Sequence, residues 1–63
     1  MILKYKVKVK CKGDRQPRLV YHGTRLDLMI ITAARMYQSD EVTDCEVTIL
    51  NDSNREIAYT RIK

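Results

Sequence analysis

Residues 2–12 alternate between apolar side chains and lysine. Leu3, Tyr5, Val7, Val9 and Cys11 share one parity, and Lys4, Lys6, Lys8, Lys10 and Lys12 share the other. A period of two is the signature of a β-strand with one dry face and one wet face. The register is fixed as well, because a slip of one residue would bury five ammonium groups. A strand of this length needs partner strands beside it and an apolar cover over its dry face. The rest of the chain has to supply both.

The first partner follows directly. Gly13-Asp14-Arg15-Gln16-Pro17 is turn chemistry. Arg18 to His22 reads as a second strand with Leu19 and Tyr21 inward, closing a hairpin. Gly23 then breaks the strand. Thr24 to Gln38 supplies the cover. Leu26, Met29, Ile30, Ala33 and Tyr37 recur at helical spacing, with Met36 at the margin of the same stripe. Thr24 is the expected N-cap, and Asp27 completes a Thr-x-x-Asp variant of the capping box.

Beyond the helix, Ser39-Asp40-Glu41 is a polar connection, with Val42 as a plug beneath it. Asp44 to Leu50 alternates again, with Cys45, Val47 and Ile49 on one face. Asn51-Asp52-Ser53-Asn54 is a turn, and Arg55 to Ile62 a last strand with Ile57 and Tyr59 on the expected core face. The order is β-β-α-β-β. It predicts one α+β domain over residues 1–63, with a four-stranded sheet and the helix across one face. The expected core is Leu3, Tyr5, Val7, Val9, Leu19, Tyr21, Leu26, Met29, Ile30, Ala33, Tyr37, Val47, Ile49, Ile57 and Tyr59. Strand order is open; pairing of the first strand with the last would bring the lysines near Glu56.

A chain of 63 residues buries roughly 60% of its unfolded surface and is marginal alone. Two features suggest how this one gains support. Leu28 and Ile31, beside Arg35 and Thr32, fall on the helix face turned away from the sheet. Two aliphatics in the middle of a wet face begin an interface. Leu28, Ile31, Thr32 and Arg35 are therefore the expected protein-contact residues, for a second copy or a host protein.

The second feature is charge. The chain carries +4 overall, but residues 1–25 hold eight Lys/Arg against one Asp, a net of +7, while residues 26–63 hold four against seven, a net of −3. The blander explanation is complementary pairing within one sheet, with lysines that also discourage edge-to-edge association. The functional alternative is a phosphate-tracking face formed by Lys4, Lys6, Lys8, Lys10, Lys12 and Arg18. All four tyrosines fall on expected core faces and no Trp or Phe is present. Any binding to DNA or RNA is therefore expected to be weak and indifferent to sequence.

Catalytic and metal chemistry find little footing. His22 has the opposite parity to Tyr21, whereas Cys11 lies on the core face, so a Cys–His pair would be split across the sheet. Cys11 and Cys45 read as small, reduced core residues. A zinc site needs about four ligands, more than these three provide. Asp40, Glu41, Asp44 and Glu46 lack calcium-loop spacing and read as a solvated cluster or a patch for a basic partner. Gly13 and Gly23 are too far apart for a phosphate loop. The expectation is a non-enzymatic module without cofactor or metal. No apolar run approaches the ~18 residues of a membrane span, and no secretory leader is visible, so the expected address is cytoplasmic.

The hairpin, Tyr21-His22-Gly23, the helix, Asp40-Glu41 and the following strand together resemble the small dimeric phage inhibitors of uracil-DNA glycosylase, over about residues 5–50. The resemblance implies a phage or mobile-element accessory protein that works by docking, and offers inhibition of a host DNA-processing enzyme as one role. Those inhibitors are acidic mimics of DNA; this chain is basic, has no Phe for the family's aromatic insertion, and adds a fourth strand.

Overall fold

A computed structural model describes all residues, Met1–Lys63. Four strands and one helix follow the expected order: β1 (Lys4–Cys11), β2 (Arg18–Gly23), α1 (Leu26–Gln38), β3 (Val42–Leu50) and β4 (Glu56–Arg61). The strands form a single antiparallel sheet in the order β2-β1-β3-β4. The first and last strands do not pair. β1 is central beside β3, and β4 forms the far edge.

The core sits where β1 and β3 meet under the helix. Tyr5, Val7 and Val9 lie opposite Ile49, Val47 and Cys45. Val7 and Cys45 are fully buried, and Met29 and Ala33 of α1 close over them. Val42 is buried as the expected plug. The sheet's two hairpins use left-handed residues at their tips. Gly13 has φ +86°, and Asn54 has φ +61°, which Asn tolerates better than most residues.

Several expected core residues are exposed: Leu19, Leu26, Ile30, Tyr37, Ile57 and Tyr59. Each has an identifiable cause. In β2, Val20 is an extra residue: Tyr21 lies opposite Val7, but Leu19 lies opposite Lys8. The bulge turns Leu19 onto the lysine face. In β4, Ala58 pairs with Ile49 and Tyr59 with Thr48, so Tyr59 shares the face of Lys6. Ile57 is the bulged residue there. α1 rests on β1, β2 and β3 but does not reach β4. Nothing above β4 therefore rewards placing its large side chains on the helix side. In α1 itself the inward line is Met29, Ala33 and the partly buried Met36, which leaves Leu26, Ile30 and Tyr37 along one flank.

The helix start also differs from expectation. Thr24 is not the cap; the N-cap position is Arg25, which makes no side-chain capping bond. Tyr21 takes over the anchoring role. Its hydroxyl accepts from the Arg25 N–H and donates to the Arg25 carbonyl, both at 3.2 Å. Gly23 makes this possible, since a Cβ there would lie 2.9 Å from the ring carbon bearing that hydroxyl. At the other end of α1, the Lys63 ammonium donates to the carbonyls of Tyr37 (3.1 Å) and Ser39 (2.6 Å). Both carbonyls belong to the partial negative end of the helix, where a cation is favourable. No helix is long and apolar enough to cross a membrane.

Candidate functional site

Two surfaces stand out, on opposite sides of the molecule. The first is the outer surface of α1. Leu28 is 40% exposed and Ile31 47% exposed, and Arg35 beside them is exposed too. Thr32 is half-buried, and its hydroxyl donates to the Leu28 carbonyl at 2.8 Å. The exposed apolar set is larger than these residues, because Leu26, Ile30 and Tyr37 join it from the other flank. Only Met29 and Ala33 of the thirteen helix residues are buried. With so few core contacts, this helix is apolar nearly all round, the pattern of an element covered on more than one side.

The second surface is the sheet face turned away from α1. The cross-strand register places Lys4, Lys6, Lys8 and Lys10 opposite Leu50, Thr48, Glu46 and Asp44. His22 lies opposite Lys6 on the β2 side, and Tyr59 and Arg61 lie opposite Thr48 and Glu46 on the β4 side. Leu50 is buried but stands outside the core cluster, as its position opposite Lys4 requires.

The charges on this face do not pair as complementary halves would suggest. The molecule has three ion pairs: Arg18–Asp14, Arg25–Asp27 and Arg61–Asp44. None of Lys4, Lys6, Lys8, Lys10 or Lys12 is in one; the Lys4 ammonium donates instead to the Asn54 side-chain oxygen at 2.8 Å. Once Arg61 is joined to Asp44, the lysines face only Glu46 and Glu56 across the strands. A shallow open depression of about 380 Å³ lies at one end, bordered by Lys8, Lys10, Pro17, Asp44, Glu46 and Arg61. Loss of solvent and the neighbouring Glu46 carboxylate push the Tyr59 phenol up from its ordinary range.

Arg18 leaves the lysine row. It pairs in register with Val9, and its guanidinium donates to Asp14. Asp14 also accepts the Cys11 N–H at 2.9 Å. That backbone bond first, and Arg18 second, hold the Asp14 carboxyl below the usual range.

The other candidates scatter. His22 and Cys11 lie on opposite sides of the sheet. Cys45 is wholly buried, and burial pushes its thiol up. The acidic run divides: Asp44 and Glu46 join the lysine face, while Asp40 and Glu41 stay at the exposed turn after α1. No group of three or more His, Cys, Asp or Glu side chains is placed to hold a metal ion. Sequence parity missed Leu19 and Tyr59 on the lysine face. The bulge at Val20 that turns Leu19 has no glycine or proline to announce it, and the face of Tyr59 is set by the β3–β4 register.

No family model matches the chain, and no curated protein and no solved structure matches it either.

Proposed function

We propose that this chain is a non-enzymatic interaction module that pairs with a second copy of itself through α1. One observation carries the reading: a helix of thirteen residues leaves Leu26, Leu28, Ile30, Ile31 and Tyr37 about half exposed while burying Met29 and Ala33. Covering the exposed half of such a side chain contributes roughly 1 kcal/mol each.

The choice of a second copy rests on the symmetry of the charge pattern. Asp27 sits in the first turn and Arg35 in the last, both exposed and both four residues from Ile31. In an antiparallel two-fold pair centred on Ile31, Arg35 of each copy meets Asp27 of the other, which would then be shared with its own Arg25. The same register sets Leu28 against Ala34, a small exposed residue that allows close approach. The patch is about 20 Å long, so it covers less than the ~800 Å² per partner of a standard interface. The dimer is accordingly weak and dissociates on dilution.

Sedimentation over a wide concentration range tests this, with Leu28→Glu/Ile31→Lys as the variant. The expected result is a monomer–dimer equilibrium for the parent chain and a folded monomer for the variant. A parent chain that stays monomeric throughout overturns the reading. So does a variant that dimerises unchanged, or one that unfolds because these residues are core.

A further inference from the structure

We infer that the sheet face opposite α1 binds single-stranded nucleic acid, with Tyr59 as the stacking platform and the lysine row as the phosphate track. The sequence argued against this by assigning every tyrosine to the core. The register reverses that assignment for one of them: Tyr59 lies opposite Thr48 on the face that carries Lys4, Lys6, Lys8 and Lys10, and it is 51% exposed. Charge and an accessible aromatic on one open sheet are the two ingredients of sequence-tolerant single-strand binding.

Charge complementarity selects the occupant. The four ammonium groups from Lys4 to Lys10 are free of carboxylate partners. They recur about every 7 Å along one strand and span roughly 20 Å. That is a linear cationic track, suited to a linear polyanion with a regular charge repeat. The carboxylates fix which way such a strand lies. Asp44 and Glu46 stand on β3, next to the track, and would repel phosphates laid across them. The backbone therefore follows β1, and the bases turn towards β4. There Tyr59 offers a ring face and Glu46 an acceptor for base amino groups. Asp44 is occupied by Arg61.

The face also discriminates against a duplex. The sheet presents no helix or paired ribbon to enter a major groove. Stacking on Tyr59 requires a base free of its own pair and neighbours. This surface lies on the opposite side from the helix patch, so the inference stands whether or not the chain dimerises.

Fluorescence anisotropy with a labelled single-stranded DNA oligonucleotide, the same sequence as a duplex, and heparin as competitor provides the test. At low salt the single strand should bind, and log Kobs should fall against log salt with a slope of about −2 to −3, as three or four neutralised phosphates give. Tyr59→Ala should weaken binding roughly five- to one-hundred-fold and leave the slope unchanged. Tyr59→Phe should retain the affinity. Lys6→Gln should flatten the slope by about 0.7. Tyr59 is exposed and Lys6 half-buried, and circular dichroism checks that each variant is folded. The inference is overturned if the duplex binds as tightly as the single strand, or if Tyr59→Ala is without effect. It fails equally if heparin outcompetes the strand by charge alone with no contribution from Tyr59, or if nothing binds at low salt.

Discussion

The rotation of α1 about its own axis can be measured with two neighbouring alanine substitutions. Met29 is 8% exposed and belongs to the core cluster; Ile30, one step along, is 54% exposed. Met29→Ala removes buried methylenes from the cluster that holds Val7 and Val9, and such truncations cost about 2–5 kcal/mol through lost transfer energy and the cavity left behind. A domain of this length has a total stability of roughly 3–9 kcal/mol. One substitution therefore consumes a large part of it and lowers Tm by at least about 8 °C. Ile30→Ala loses only the half of the side chain that is covered, roughly 1 kcal/mol, and recovers a few tenths from the better helix propensity of alanine. Its net cost should stay below about 1 kcal/mol. Urea unfolding at low protein concentration is the appropriate assay, because self-association would add burial at Ile30 and inflate its cost. The slopes of the two unfolding curves should match, so that the midpoints report stability alone. Equal costs for the two variants, or a larger one for Ile30→Ala, would refute the orientation and imply a helix turned by ~100°.

Two further outcomes follow from local chemistry. Asp14 ties the first hairpin through the Cys11 N–H and Arg18, and these two bonds hold its carboxyl below the ordinary carboxylate range. A depressed carboxylate stabilises above its unfolded pKa, and that stability is lost as pH falls through the folded pKa. Asp14→Asn should therefore lower stability at neutral pH and flatten its decline below about pH 4; a variant with an unchanged acid limb in pH-dependent unfolding would contradict this. Cys45 is fully buried with its thiol pushed up, whereas Cys11 is only half-buried. Brief iodoacetamide treatment read by mass spectrometry should modify Cys11 first and Cys45 only when the protein unfolds; equal labelling rates would place Cys45 in the wrong environment.

Where period and burial worked together, the sequence was a sufficient guide. β1 lies between two partners and under a helix, so each of its residues is sorted by a single demand, and Tyr5, Val7 and Val9 fall where alternation puts them. The plug at Val42 and the end of α1 at Gln38 were legible for similar reasons. Legibility fails at the edges. β4 has no helix above it, so neither face imposes a cost on Ile57 or Tyr59, and size alone misled the assignment. Leu19 was misplaced by a bulge at Val20, an extra residue that changes parity without any compositional mark. Thr24 has the chemistry of a cap, yet it is the Tyr21 hydroxyl that bonds Arg25 at the helix start; that arrangement depends on how Gly23 lets the ring lie, a tertiary fact. The candidate surfaces divide in the same way. Leu28 and Ile31 were visible from helical period, whereas the aromatic on the lysine face emerged only with the cross-strand register.

The central place of β1 also governs how the chain assembles. Each hairpin closes over a short turn, but the β1–β3 seam joins residues such as Tyr5 and Ile49 that lie about 40 positions apart. Closing a loop of that length costs ~3 kcal/mol of chain entropy beyond a constant, and the buried contacts that offset it, Val7 and Val9 against Val47 and Cys45, lie in that seam. Closing this non-local seam is therefore the step expected to limit the folding rate. The two halves of the chain approach with opposite charge, because the first 25 residues carry a net of +7 and the remainder −3. Attraction of this kind accelerates encounter and is screened by salt. Lysines that make no ion pair in the finished sheet are therefore expected to speed the encounter with the acidic half during folding. Added salt should slow refolding more than it lowers equilibrium stability.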